Sequence, residues 1–181
     1  MGRMSGIRQE AAVVPQRDRR VARTRTAVAD ALTELAQDRA VRDITVKELA
    51  DRAQIGRSTF YEHFESMEDL LCWLADELVE EVRGTDGIVR LDVLLGFVGG
   101  LPEVSRAFLQ IDACATRCQV ALTDGLWGQD RAARRFAAAG IMALLADWLH
   151  DDDPQPLGHL ITATCALAET VLGPAAHAVD G

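Results

Sequence analysis

Arg57, Ser58, Tyr61 and Glu62 stand in a short segment, Arg57 to Phe64, whose rings Phe60 and Phe64 recur at i, i+4. On a helix that spacing puts both rings on one side. The other side then offers a guanidinium, a hydroxyl, a phenol and a carboxylate, groups that donate or accept at base edges. Upstream, Thr45 precedes Glu48 by three residues, the spacing of a capping box, and Leu49, Ala50 and Ala53 give the helix it opens an inner face. Gln54-Ile55-Gly56 reads as a tight turn between the two. Two short helices joined by about three residues have the form of a helix-turn-helix. A short helix enters a major groove only when another props it against the backbone. The positive end of its dipole, near Gly56 to Thr59, favours approach to phosphate.

Charge supports the same chemistry, although the average conceals it. The 181 residues carry 19 Lys plus Arg against 28 Asp plus Glu, a formal charge of -9, which taken whole argues against a polyanionic partner. Residues 1–64 hold 12 basic and 9 acidic side chains, net +3, while residues 65–181 hold 7 and 19, net -12. Arg17, Arg19, Arg20, Arg23 and Arg25 form a dense basic run offset only by Asp18. Such partition within one chain is itself a signal.

Other constellations carry less. Cys114 and Cys118 lie one helical turn apart and suggest either a thiol sensor or two small buried hydrophobes; packing is the reading preferred, because no histidine or third cysteine is near in sequence. The spacing of His150, His159 and His177 fits no metal-ligand pattern. Asp151 to Asp153 reads as a solvated helix stop. Neither a phosphate-cradling glycine loop nor a nucleophile motif is present, so no catalysis, cofactor or metal is expected. Met1 to Gln16 lacks a signal-peptide core, no apolar run reaches membrane-spanning length, and four cysteines do not make a disulfide framework. These features predict a reduced, cytoplasmic protein without a membrane partner.

With apolar residues at 49% and no sustained alternation of strand type, the chain is expected to be all-α. Residues 1–16 read as a flexible arm, 17–65 as a three-helix helix-turn-helix DNA-binding domain, and 66–181 as a helical domain. Ser66 with Asp69 caps a helix running to about Arg83. Later helices are expected near 88–98 and 102–120, separated by Gly99-Gly100, then from about Asp130 to His150 and Pro156 to Leu172. Trp73, Phe97, Phe108, Trp127 and Met142 supply core or pocket lining, with Asp112, Thr116 and Gln119 as candidate polar groups orienting a ligand. The last two helices, rich in small and apolar residues from Ala137 to Leu149 and from Leu160 to Val171, are the candidate dimer interface.

Arg23-Thr24-Arg25, Ile44-Thr45-Val46-Lys47-Glu48-Leu49-Ala50, Thr59-Phe60-Tyr61-Glu62-His63-Phe64 and Glu68-Asp69-Leu70-Leu71 together resemble the N-terminal signature of the tetracycline-repressor (TetR) family. The resemblance covers about Arg20 to Leu74. It implies a dimeric transcription factor, usually a repressor, released from pseudo-palindromic double-stranded operator DNA by a small-molecule effector. It also implies ligand-binding and dimerisation roles for the helical domain over 66–181. It places Arg57, Ser58 and Tyr61, with Lys47, where the family reads bases. Thr59 and His63 fall where it contacts phosphate, as do Arg23, Arg25 and Thr45. Three positions depart from the pattern. Gln54 stands where the turn usually has Gly, Gly56 replaces the usual hydroxyl cap, and Met67 replaces the usual Lys after the recognition helix. The competing reading is an all-α ligand-binding or thiol redox-sensing module with little specific DNA binding.

Overall fold

The computed structural model describes residues 16–174, with side chains described from Arg19 onwards. The arm expected over 1–16 lies outside the described residues except for Gln16, and His177 lies outside them too. Among the described residues the secondary structure is helical, apart from one isolated bridge between Arg83 and Val89. Helix α1 spans Gln16–Leu35, α2 Val46–Arg52, α3 Arg57–His63 and α4 Met67–Glu81. They are followed by α5 Leu91–Gly100, α6 Pro102–Gln110, α7 Asp112–Gly125, α8 Arg131–His150 and α9 Leu157–Leu172.

The first three helices pack on one another as an N-terminal head. Val28 and Leu32 of α1, Leu49 of α2 and Phe60 of α3 are fully buried there. The capping box forms as expected. The Thr45 hydroxyl accepts from the Glu48 amide at 3.3 Å, and the Glu48 carboxylate accepts from the Thr45 amide at 2.9 Å. These bonds, with the Arg39 guanidinium beside it, hold the Glu48 carboxyl down at about 2. At the other end of α2, Ile55 N–H donates to Ala50 C=O at 3.0 Å and Gln54 N–H to Asp51 C=O at 3.2 Å. This pair of bonds closes a helix only when the residue between is left-handed, and Gln54 has φ 57°. A side chain therefore occupies a conformation that suits glycine, at a cost of roughly 1 kcal/mol. The turn keeps its shape because the bonds at both of its sides fix it.

Helices α4 to α9 form the body. α7 packs on α4 and α8, and α9 packs on α8 and α5. One apolar core runs without interruption from Val28 in the head to Ala168 in α9. A 3-10 turn at Val41–Asp43, in a stretch where the sequence showed only a broken helical pattern, rests on α6 and adds a second head-to-body contact beside α4.

The middle of the chain differs from expectation at two places. Gly99 and Gly100 do not separate helices; α5 runs through both, and the break falls at Leu101. Gly99 instead marks a close approach, since a Cβ there would lie 2.4 Å from Leu157 Cδ2 on α9 and that side chain would have to turn aside. The single helix expected over 102–120 is two, broken where Ile111 is extended (φ -100°, ψ 110°), and α7 continues to Gly125. The bend lets Phe108 and Cys114, on either side of it, both face the core. Since it uses neither Gly nor Pro, composition gave no sign of it.

Candidate nucleic-acid interface and internal cavity

Helix α3 is set as its pattern requires. Phe60 and Phe64 are buried, while Arg57, Ser58, Tyr61 and Glu62 are exposed. Tyr61 keeps 51% of its surface in solvent, with its ring edge-on to Phe60 at 5.4 Å between centroids. The neighbouring ring thus orients the phenol without covering it. Arg57 pairs with no described acidic residue. Lys47, on the first turn of α2, is held by Asp51 at 2.9 Å, and that carboxylate raises the pKa of its ammonium. Both groups are well exposed, so solvent screens this i, i+4 pair and it is readily exchanged for a base or phosphate contact.

A second group gathers where α1 meets α3. Arg20, Val21, Thr24, Arg25, Thr59, Glu62 and His63 line a surface notch. Two guanidiniums, two hydroxyls and an imidazole around one depression suit a phosphate oxygen, against the single opposing carboxylate of the exposed Glu62. The notch unites three expected phosphate contacts, Arg25, Thr59 and His63, and adds Arg20 and Thr24. Thr24, one helical turn after Arg20, donates its hydroxyl back to Arg20 C=O at 3.1 Å. Arg23 is exposed on α1 outside the notch. Thr45 also lies elsewhere, and its hydroxyl proton goes to Glu48 at 2.8 Å. A phosphate would have to displace that bond.

Arg25 has a second environment. Its guanidinium sits 5.5 Å from the Phe64 ring centroid and 5.6 Å from that of Trp73, while Nε is buried without a hydrogen-bond partner. Phe64 and Trp73 are themselves in contact, 5.5 Å apart. The stack joins the first helix of the head to α4, the first helix of the body, through cation–π attraction. Met67 opens α4 and packs partly buried against the core, so the position of the usual Lys contributes apolar contact instead.

Further along α4, Leu78 and Val79 wall a half-open apolar cavity of about 40 Å³ completed by α5, α6, α7 and α8. Phe108 and Met142 line it, whereas Trp73, Phe97 and Trp127 do not; Trp127 Nε1 donates to Gly173 C=O at 2.8 Å. Asp112, Thr116 and Gln119 do not orient anything inside this cavity. They lie on the outer side of α7, and Thr116 and Gln119 border a surface groove with Arg131 and Arg135. The helical register that buries Cys114 turns them outward.

Cys114 is fully buried and Cys118 partly so. Cys72 of α4, remote in sequence, meets Cys114 across the α4–α7 contact. Burial first, then the neighbouring thiol, raises the Cys114 pKa; burial and Asp76 push Cys118 up to about 11. Thiols held protonated are poor nucleophiles, which favours packing over redox sensing. No group of His, Cys, Asp or Glu among the described residues is arranged to hold a metal ion. Nor is any helix among them long and apolar enough to cross a membrane.

Residues 28–72, from the middle of α1 into the first turns of α4, match the family described as bacterial regulatory proteins, tetR family. That segment is similar to the N-terminal domain of TetR-family regulators. No curated protein matches the chain significantly. Among solved structures, the dihydroxyacetone kinase operon activator DhaS superposes with a TM-score of 0.66 at 20% identity, over 82% of this chain and 96% of that one. A TetR transcriptional regulator from Streptococcus agalactiae gives 0.55 at 23%, over 84% and 97%. Thermus thermophilus FadR, a TetR-family repressor in complex with lauroyl-CoA, gives 0.55 at 21%, over 87% and 100%. The body beyond the matched segment therefore shares the TetR-family fold as well as its length.

Proposed function

We propose that the chain is a homodimeric transcriptional regulator that binds a pseudo-palindromic operator through α3 and leaves it when a small molecule enters the body. The observation that carries this reading is the division of labour around α3. Arg57, Ser58, Tyr61 and Glu62 face outward, and a separate notch that gathers Arg20, Arg25, Thr59 and His63 lies at its side. Arg57, Ser58 and Tyr61, with Lys47, read bases; Arg25, Thr59 and His63, with Arg23 and Thr45 on the flanks, meet phosphates. Gel-shift with the DNA flanking its own coding region tests it, since the reading requires salt-sensitive, sequence-selective binding.

Met67 predicts a gain. Met67→Lys places a cation at the start of α4, beside the head, in each chain of the dimer, and should steepen the salt dependence of operator binding by about two units of slope. Titration of operator at several salt concentrations measures it. An unchanged slope would place Met67 away from the backbone.

A second copy of the chain is favoured by α8 and α9. Phe136 is 72% exposed, and Leu167 (54%) and Val171 (37%) are exposed on α9. Ala139, Gly140 and Ala143 lie open on α8, with nothing within 4 Å of a Cβ placed at Gly140. Ala137, Ala138, Leu145, Leu149 and Leu160, from the same expected interface, are spent inside the chain instead. Phe136→Glu should shift a dimer to monomer by at least tenfold in dissociation constant, as read by sedimentation. Operator affinity should fall with it, because two half-sites require two heads.

Ligand coupling follows from α4. It begins beside the head at its Ser66 cap, where the Asp69 amide donates to the hydroxyl at 3.1 Å, and reaches the cavity at Leu78 and Val79. At 1.5 Å per residue that is about 18 Å of one rigid rod. An occupant that moves its far end repositions the head, and the population shifts from the DNA-competent arrangement.

A further inference from the structure

The cavity walled by α4 has a chemistry of its own. We infer that it accepts an uncharged, hydrocarbon ligand, alkyl or aryl, and excludes carboxylates and ammonium ions; this rests on the regulator reading only for the consequence of binding. No Lys, Arg, His, Asp or Glu lines it. The sole hydroxyl at its wall, Ser105, is 3% exposed and turned toward Val98 C=O at 3.5 Å. The nearby cation on α6, Arg106, is committed twice over. It donates to Leu149 C=O at 2.6 Å and pairs with Glu103. An anion entering would lose its hydration and find no counter-charge, whereas an apolar body loses nothing it needs.

Size sharpens the inference. A void of about 40 Å³ with apolar walls stays dry, and it is smaller than the roughly 150 Å³ that holds benzene. Any such ligand must therefore displace side chains. Met142 is the adaptable one, unbranched and half-buried, while Leu78 and Val79 belong to α4 itself. Entry by a molecule of six or seven carbons presses on the helix that carries the head. Apolar recognition and movement of α4 are thus one event.

The test uses the full chain without DNA and four probes: toluene, 1-hexanol, hexanoate and hexylammonium. Toluene and 1-hexanol should raise the thermal midpoint saturably, with hexanoate and hexylammonium at least ~100-fold weaker, the discrimination set by burying an unpaired charge. Cys118→Leu and Val98→Ile each add carbon to the void and should remove the response to toluene; either one suffices if the other fails to fold. Equal stabilisation by hexanoate or hexylammonium would overturn the proposal, as would no saturable shift with either uncharged probe or a toluene response surviving in the filled chains. Because DNA is absent, a failure to bind operator would leave these outcomes untouched and would count against the regulator reading alone.

Discussion

Tyr61→Ala should lower specific operator affinity by roughly 5- to 150-fold, the ~1–3 kcal/mol of a lost base contact, while leaving non-specific binding nearly unchanged. Half of the Tyr61 surface faces solvent, and its only ring partner among the described residues is the edge-on Phe60. Truncation therefore leaves the head folded, at a stability cost of about 0.5–1.5 kcal/mol from the lost aromatic pair. The separation of the two effects is the point of the experiment. Gel-shift against specific and scrambled duplexes reads the first, and thermal unfolding reads the second. Equal losses on both duplexes would reassign Tyr61 to the phosphate group, and unchanged operator affinity would remove it from the interface.

Phe64→Ala should act in the opposite way, through stability first. Phe64 is 2% exposed, lies between the rings of Phe60 and Trp73 at 5.6 and 5.5 Å, and carries the Arg25 guanidinium on its face. Deleting a buried ring of this kind costs about 3–5 kcal/mol, and in a chain of this length each kcal/mol lowers the midpoint by about 2–4 °C. The expected fall is therefore on the order of 10 °C or more in calorimetry. Arg25 would lose one of its two rings with its Nε already unpartnered, so the notch should loosen as well. A change below about 1 kcal/mol would mean that the head is held to α4 by other contacts.

The head was legible because its signals are local. A cap at Thr45, rings at Phe60 and Phe64, and a cluster of arginines before them all act within a few residues of chain. Even the departure at Gln54 was readable, since a missing glycine in a tight turn implies a left-handed side chain, and φ 57° is what results. The body was less legible because its decisions are made by distant partners. Gly99 looked like a helix break and is instead where Leu157 approaches. Ile111 bends the chain with no turn residue to mark it. Asp112, Thr116 and Gln119 were polar and nearby in sequence, but the register of α7 faces them outward. Cys72 reaches Cys114 only once α4 and α7 pack, and Arg25 looked like a simple phosphate contact until Trp73 was seen beneath it.

The partition of charge that set a basic head on an acidic body bears on the same question. A body at net -12 is repelled by the DNA backbone, so contact is confined to the head and the salt dependence should report a small number of phosphates. The most direct measurement is the affinity for operator DNA as a function of salt, taken beside a scrambled duplex. With about six phosphates contacted by the dimer, log affinity should fall against log salt with a slope near -5, and the operator should be preferred by about a thousandfold or more. Equal affinity for both duplexes, or binding indifferent to salt, would contradict the assignment of α3 and its notch as a DNA-reading surface.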